Sequence, residues 1–336
     1  MPRLDKLDDV LFPVVEHPVF VKFTDLNGER QLPVPDKKAI VNRDNRRVLG
    51  IVGRDYRLVS NQEALDLAFR CCGTVFPETK PAEWEVATTD APTTAGYCHI
   101  DLVHKSHGLD FNAVPAADRP EAYGPFIRVT NSYNGLRALS FDIGFQRKIC
   151  KNGMIIPDTI IRFKFTHSRR DFGRSIEFEV AHKALAGFKT SFNGFVGALR
   201  NCEVGRAQFE EFIRGVLLFR QPQPLKPESR EADDWQALNA TLGEASDRYA
   251  RELGGNAYAV FNAVTDIASN PPTNRCVHRD RNSLQRLAGS WLSKFSHRCQ
   301  QSGFSLPDYL QELGNPESTT DTGKKQQKNA HLGVVT

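Results

Sequence analysis

The period of the apolar positions changes partway along the chain. Up to about residue 156 short runs alternate with period two, the signature of half-buried strands. Val19–Phe23 is one such run, turned back at Leu26-Asn-Gly-Glu29. Arg47–Val52 is another; it ends at Gly53, and the chain resumes at Tyr56-Arg-Leu-Val59. Residues 84–90 and 95–103 also read as strands. The strongest signal runs from Phe126 to Ile156, where two alternating runs flank Asn134-Gly135. That pair tolerates the positive φ of a tight turn, so the spacing predicts a β-hairpin. A second turn signal follows at Asn152-Gly153. One helix interrupts the strands. Ser60-Asn-Gln-Glu63 is a capping box, Ala64, Leu65, Ala68, Phe69 and Cys72 form one stripe, and Gly73 is placed to stop it.

After a polar break around His167–Gly173 the period becomes helical. Ala181, Ala184, Leu185, Phe188, Phe192, Phe195, Val196 and Leu199 fall on one face. Phe209, Phe212, Ile213, Val216 and Leu217 make the next helix, which ends before Pro222-Gln-Pro-Leu-Lys-Pro227. Trp235 to Leu253 is a third, closed by Gly254-Gly255. Asn256 can cap a helix over Ala257–Ala268, and Leu284 to Cys299 forms a last long apolar face. The predicted class is α+β: a mostly antiparallel N-terminal sheet with one or two packed helices, followed by a helical C-terminal half. The expected organisation is a loose lead-in over 1–15, a mainly β domain over 16–175, a helical region over 176–313 with a Pro-rich linker near 221–228, and a disordered tail over 314–336.

Composition narrows the class. The chain has 336 residues, 40% apolar and 10% aromatic, which fits a folded core rather than disorder. No apolar run approaches the roughly 18 residues needed to cross a bilayer. Met1-Pro-Arg-Leu-Asp-Lys-Leu-Asp-Asp9 is too acidic for a signal peptide, so a cytoplasmic protein with no membrane partner is expected. The seven cysteines are scattered without a C-x-x-C, which argues against a disulfide framework or a zinc ribbon and for small buried hydrophobes. Net charge is +4 but uneven. Residues 1–160 carry 20 Lys/Arg against 21 Asp/Glu, and residues 161–200 carry 8 against 3. Residues 201–270 carry 7 against 11, and residues 271–312 carry 6 against 3. Positive charge clustered in this way suits an anionic partner.

The chief candidate site is Arg162-Phe-Lys164-Phe-Thr-His167-Ser-Arg169-Arg170-Asp-Phe-Gly-Arg174. In a strand, Arg162 and Lys164 share one face and Phe163 and Phe165 the other. Cations near aromatic rings suit single-stranded nucleic acid, with phosphates on the charges and bases on exposed rings. The alternative is a core strand with a solvated basic face. Arg275, His278, Arg279, Arg281 and Arg286 either extend the same track or pair with the acidic 228–252 segment. Cys98-His99, His104 and His107 have the ligand types of a zinc site but not its spacing, so surface histidines in a strand and loop are expected, with no metal and no cofactor. No G-x-S-x-G, H-E-x-x-H or Walker A pattern occurs, and Gly50-Ile-Val-Gly53 lacks the third glycine of a dinucleotide fingerprint. Asp101, Asp110, Asp142 and Asp158 are the carboxylates from which a two-metal nuclease would have to draw.

Three stretches carry a family resemblance: Val48-Leu-Gly-Ile-Val-Gly53 with Tyr56, Val59, Asn61 and Glu63-Ala64; Phe126–Met154 with Asn131-Ser132, Asn134-Gly135 and Arg147-Lys-Ile-Cys-Lys-Asn152; and Gly255-Asn-Ala-Tyr-Ala-Val-Phe-Asn262-Ala-Val-Thr-Asp266. In order and spacing, over about two-thirds of the chain, they resemble a phage- and plasmid-borne family catalogued as domain of unknown function 932. Tyr133 stands where a histidine is common in that family and Asn134 where an aspartate is; Gly153-Met154 replaces a frequent Thr-Leu. A catalytic site built on that His-Asp pair would be lost here. The resemblance implies a mobile genetic element and an accessory role in recombination or replication. The resulting expectation is a single-stranded nucleic-acid-binding protein without catalysis, as a monomer or a homo-oligomer. A metal-dependent nuclease, or an interaction protein acting on host factors through its apolar helical half, stands as the alternative.

Overall fold

Ser60 begins the main helix as its sequence requires. Its Oγ accepts the Glu63 N–H at 3.1 Å, and the Glu63 carboxylate accepts the Ser60 N–H at 2.7 Å, so two orphan donors of the first turn are satisfied. In this computed structural model, which describes residues 3–25, 28–105, 109–110, 122–147, 153–155, 162–167, 191–192, 194–223 and 228–314, helix α1 spans Asn61–Val75 and buries Ala64, Leu65, Ala68, Cys71, Cys72 and Val75. It continues past Gly73, because Val75 extends the same buried stripe one turn beyond Cys72. The chain divides into two compact units, Met1–Asn193 and Gly194–Thr336.

In the first unit α1 packs on an antiparallel eight-stranded sheet. Its strands are β1 (Arg3–Leu4), β5 (Trp84–Pro92), β6 (Tyr97–His104), β7 (Leu109–Asp110), β8 (Ala122–Ser132), β9 (Leu139–Arg147), β10 (Gly153–Ile155) and β11 (Arg162–Phe165). The order is β1-β5-β6-β8-β9-β10; β11 pairs with β9, and β7 with β8. Alternation does the expected work. Cys98, Ile100 and Leu102 of β6, Ile127 and Val129 of β8, and Phe141, Ile143 and Phe145 of β9 are all buried and fall on one face by register. Each such side chain contributes roughly 1.5–3 kcal/mol of burial. The β8–β9 hairpin is present, but six residues connect its strands rather than two. Gly135, at φ +72°, supplies the left-handed backbone that the Asn-Gly pair announced.

A second sheet runs β2 (Val14–Asp25), β3 (Gly28–Asn42) and β4 (Val48–Gly53). The short strand expected at Val19–Phe23 is part of this much longer ribbon; its reversal at Leu26-Asn27 lies outside the described residues. The register shifts between Pro18 and Phe20. Phe20, Val21, Phe23 and Leu32 are all exposed, so the far part of the ribbon has no buried face, and little in the sequence marks its full length. The lead-in is tied down. Arg3 and Leu4 pair with Pro92 and Ala91, and Val10 is buried.

The second unit is helical: α2 (194–200), α3 (Arg206–Leu217), α4 (Arg230–Leu253), α5 (Ala257–Ser269), α6 (Arg281–Arg298) and α7 (Leu306–Gly314). Helix α5 is its centre; all but Asp266 of its thirteen residues are buried. Asn256 caps it by accepting the Ala259 N–H at 3.0 Å. Asp280 does the same for α6 through Ser283 at 2.8 Å. Phe212, Phe261, Trp291, Phe295 and Tyr309 interlock with ring centroids 4.9–6.2 Å apart. The architecture is α+β, with antiparallel sheets first and most helices in the C-terminal half. Residues 224–227 of the Pro-rich segment, 168–190 and the tail from 315 lie outside the described residues. Among the described residues no helix is long and apolar enough to cross a membrane.

Candidate functional site

The face of the large sheet opposite the apolar one is polar, and register explains its order. Asp101 of β6, Arg128 of β8, Asp142 of β9 and Arg162 of β11 stand opposite one another across four neighbouring strands. The next row along is His99, Thr130, Ser140 and Lys164. Arg128 is 1% exposed, lying between Asp101 and Asp142, which are 6% and 0% exposed. Its Nε and Nη2 donate to the two Asp101 oxygens at 2.6 and 2.7 Å. Thr88 donates to the same carboxylate at 2.8 Å. A guanidinium fork matched to a carboxylate in this way is the strong, oriented form of the interaction. Burial opposes the Arg128 charge most, and the flanking carboxylates overcome it, holding its pKa above the usual arginine value.

This row decides between the chemistries open to the carboxylates. Asp101 and Asp142 stand on either side of Arg128 in register, and Arg128 already neutralises Asp101. Among the described residues no group of three His, Cys, Asp or Glu is placed to hold a metal ion. Cys98 and His99 point to opposite faces, as alternation required. The histidines are not on the surface, however. His99 and His104 are 2% and 8% exposed. His99 Nδ1 shares a hydrogen bond with Thr130 Oγ1 at 2.7 Å. His104 contacts Glu83 at 3.3 Å and sits edge-on to Trp84 at 5.4 Å. The expectation of surface histidines assumed a solvated face, whereas His99 is buried on the polar side and His104, in phase with Ile100 and Leu102, packs on the apolar side against Trp84. His107, Cys150 and Asp158, and the side chain of Asp110, lie outside the described residues.

The basic strand keeps the predicted faces. Phe163 is opposite Phe141 and Phe165 opposite Leu139, on the apolar side, while Arg162 and Lys164 fall opposite Asp142 and Ser140. Among the described residues β11 pairs with β9 alone, and Lys164 is exposed. Of Arg162 the described backbone gives the register position alone, opposite Asp142. Arg169, Arg170 and Arg174 lie outside the described residues. Two residues that the sequence reading passed over share this end of the face. Tyr97, in register with Ser132, is half-buried, and the exposed Arg137 places its guanidinium 5.4 Å from the Tyr97 ring. Only the sheet register brings Tyr97 and Arg137 together. Arg128 did have a signal: a charged residue inside an otherwise apolar strand.

In the second unit the other basic segment is divided. Arg275 lies 3.9 Å from Asp234, whose backbone carbonyl also accepts from Asn274 at 2.6 Å. Arg279 is exposed and reaches the Leu218 carbonyl at 3.4 Å. Arg281 is half-buried in the first turn of α6. Pairing with the acidic helix thus accounts for Arg275.

The motifs around Asn61 and Asn131 converge on one buried polar junction. Asn131 Nδ2 donates to the Val59 carbonyl at 2.9 Å and to Asn61 Oδ1 at 2.8 Å. Asn61 Nδ2 donates to the Val10 carbonyl, and the Asn61 N–H to Tyr133 Oη, both at 2.8 Å. Tyr56 Oη donates to the Ser132 carbonyl. Tyr56 also stacks on His167 at 4.6 Å, and His167 exchanges two hydrogen bonds with Arg57. Burial raises the pKa of both phenols, so they stay protonated and act as hydrogen-bonding groups. Asn134 accepts from Ser132 Oγ at 2.9 Å and from the Leu136 N–H at 3.1 Å. These groups hold loops in place through hydrogen bonds to backbone and to one another.

Comparison with known proteins agrees with this convergence. The family model described as "Domain of unknown function (DUF932)" matches residues 48–291, well over half of the chain, and spans both motif clusters of the junction and helix α5. No curated protein and no solved structure matches. The chain therefore belongs to the domain of unknown function 932 family.

Proposed function

We propose that this chain binds nucleic acid, single-stranded in preference to duplex, as a non-catalytic accessory protein of a mobile genetic element acting in recombination or replication. The observation that carries the reading is the open end of the polar sheet face. Lys164 on edge strand β11 is exposed, and so is Arg137, whose guanidinium lies 5.4 Å from the ring of half-buried Tyr97. Arg169, Arg170 and Arg174 follow within ten residues. Cations beside an aromatic ring at a sheet edge suit phosphates and an unstacked base. Arg162, two residues before Lys164, is a further contact in this reading. Arg279 and Arg281 are secondary contacts in this reading. The nuclease alternative is weakened by Arg128, which engages the carboxylates that such an enzyme would need for metal.

A second reading, that the chain docks on a host protein, gains from a different observation. Exposed Phe20, Val21, Phe23, Leu32, Val48 and Ile51 all lie on the β2–β3–β4 sheet. That surface, rather than the helical half, is then the one to test.

Anisotropy titrations of labelled single- and double-stranded oligonucleotides, over a series of salt concentrations and with and without Mg²⁺, test the proposal. Single-strand affinity is expected to fall steeply with salt. Replacing Arg169 and Arg170 together with Ala is expected to flatten the log–log slope by about 1.4, at about 0.7 per phosphate contact. The melting temperature should stay nearly unchanged, because exposed charges contribute little to stability. Equal binding by the double variant at every salt concentration would reduce the segment to solvated surface. Cleavage in Mg²⁺ would favour the nuclease.

A further inference from the structure

Six cysteines fall among the described residues, all with free thiols, and four of them are buried. The other two, Cys202 and Cys299, are half-buried and lie together. Cys202 follows the last turn of α2, where its N–H donates to the Leu199 carbonyl at 3.3 Å. Cys299 caps the C-terminus of α6, its N–H donating to Phe295 at 2.9 Å. The Cys299 Sγ reaches the Ala198 carbonyl of α2 at 3.9 Å, one turn before Cys202. The two thiols lie within interaction range and influence each other's ionisation. Ninety-six residues separate them in sequence, and the fold alone brings them into contact. Their junction also holds the turn into α5, because the Ala257 N–H donates to the Cys202 carbonyl at 2.8 Å and the Val204 N–H to Gly255 at 3.1 Å.

We propose that Cys202 and Cys299 form a reversible intramolecular disulfide under oxidation by a hydroperoxide, bracing the ends of α2 and α6. One thiolate attacks the peroxide and becomes a sulfenic acid, releasing hydroxide, or alkoxide from an organic peroxide. The neighbouring thiol then displaces water from the sulfenic sulfur to give the S–S bond. In sum, two thiols and one hydrogen peroxide give one disulfide and two waters; a dithiol reductant reverses it by exchange. Cys299 Sγ already lies against the end of the helix that carries Cys202, so closure calls mainly on side-chain rotation. Electrostatics sets the rate. An S–H donated from one sulfur to the thiolate of the other eases the first deprotonation, which lowers Cys299 and raises Cys202. The carbonyls at the two helix ends act against any thiolate. Oxidation should therefore accelerate as pH rises.

The test uses the full chain, reduced, desalted, treated with a few equivalents of hydrogen peroxide, and then alkylated. Non-reducing peptide mapping is expected to recover the Cys202 and Cys299 peptides joined, lighter by two hydrogens, and separated again by dithiothreitol. Cys202→Ser is expected to leave a sulfenic acid on Cys299 that dimedone traps. The mapping is done on the unaltered chain, so the result stands even if a variant fails to fold. Alkylation of both cysteines after peroxide, over-oxidation without linkage, or linkage between chains would overturn the proposal. The oxidised chain is expected to melt several degrees higher, because the bond closes a long loop. An unchanged or lower melt would overturn the bracing role.

Discussion

Tyr133 carries a phenol to the one place where the first turn of α1 needs an acceptor. Asn61 is the first residue of that helix, so its N–H has no intrahelical partner. Tyr133 Oη, on a fully buried side chain, supplies one at 2.8 Å. Tyr133→Phe keeps the ring and removes the acceptor, leaving a buried donor unsatisfied. The expected cost is about 1–3 kcal/mol, read as a lower urea midpoint with an unchanged m-value. An unchanged midpoint would mean that water reaches Asn61.

Two glycines three residues apart in β4 show how an element is constrained by its neighbours rather than by its own pattern. A Cβ on Gly50 would lie 2.4 Å from Asn134 Cα and 2.6 Å from the Tyr133 carbonyl oxygen, whereas one on Gly53 would meet nothing within 4 Å. The atoms facing Gly50 are mostly backbone and have no rotamer to give way with. Gly50→Ala is therefore expected to cost at least about 1–3 kcal/mol, the range for overpacking, and Gly53→Ala to be nearly neutral. Thermal melts of the two variants side by side check this, and equal melts would refute the close approach. The same contact gives Gly50-Ile-Val-Gly53 its purpose. It is a strand pressed against the β8–β9 loop, not a phosphate cradle.

Stability against pH belongs to the whole chain, and His167 sets a testable part of it. Burial disfavours its imidazolium more strongly than the bond to Arg57 favours it, so its pKa is lowered. Between that lowered value and the ordinary value of about 6.5, the unfolded chain binds more protons than the folded one. Stability from this residue is then complete above about pH 6.5 and declines as pH falls toward the folded pKa. Denaturation midpoints at several pH values from 7.5 to 5 should fall less steeply for His167→Gln than for the parent, whatever the variant's stability at neutral pH. Parallel profiles would assign the acid loss to other groups.

The sequence by itself determined whatever depends on neighbours along the chain. The capping box at Ser60, the Asn256 cap, the positive φ at Gly135 and the opposed faces of β11 were all legible, because turns, caps and alternation are local. So was the α+β division, because after one interrupting helix the apolar period stays two until the polar break and is helical beyond it. The hidden parts depend on contacts between distant residues. The Asp101–Arg128–Asp142 row exists only through sheet register, and nothing near Arg128 in sequence names its partners. Asn61 and Asn131 were both recognisable as family positions, yet seventy residues separate the two ends of their hydrogen bond. The full length of the β2–β3 ribbon escaped, beyond the short run at Val19–Phe23, because its far part has no buried face to impose a pattern. Cys202 and Cys299 read as two scattered small hydrophobes. Only the packing of helix ends decided that they would meet, because side-chain contact across a fold is set by the sum of all its burial and not by any one segment.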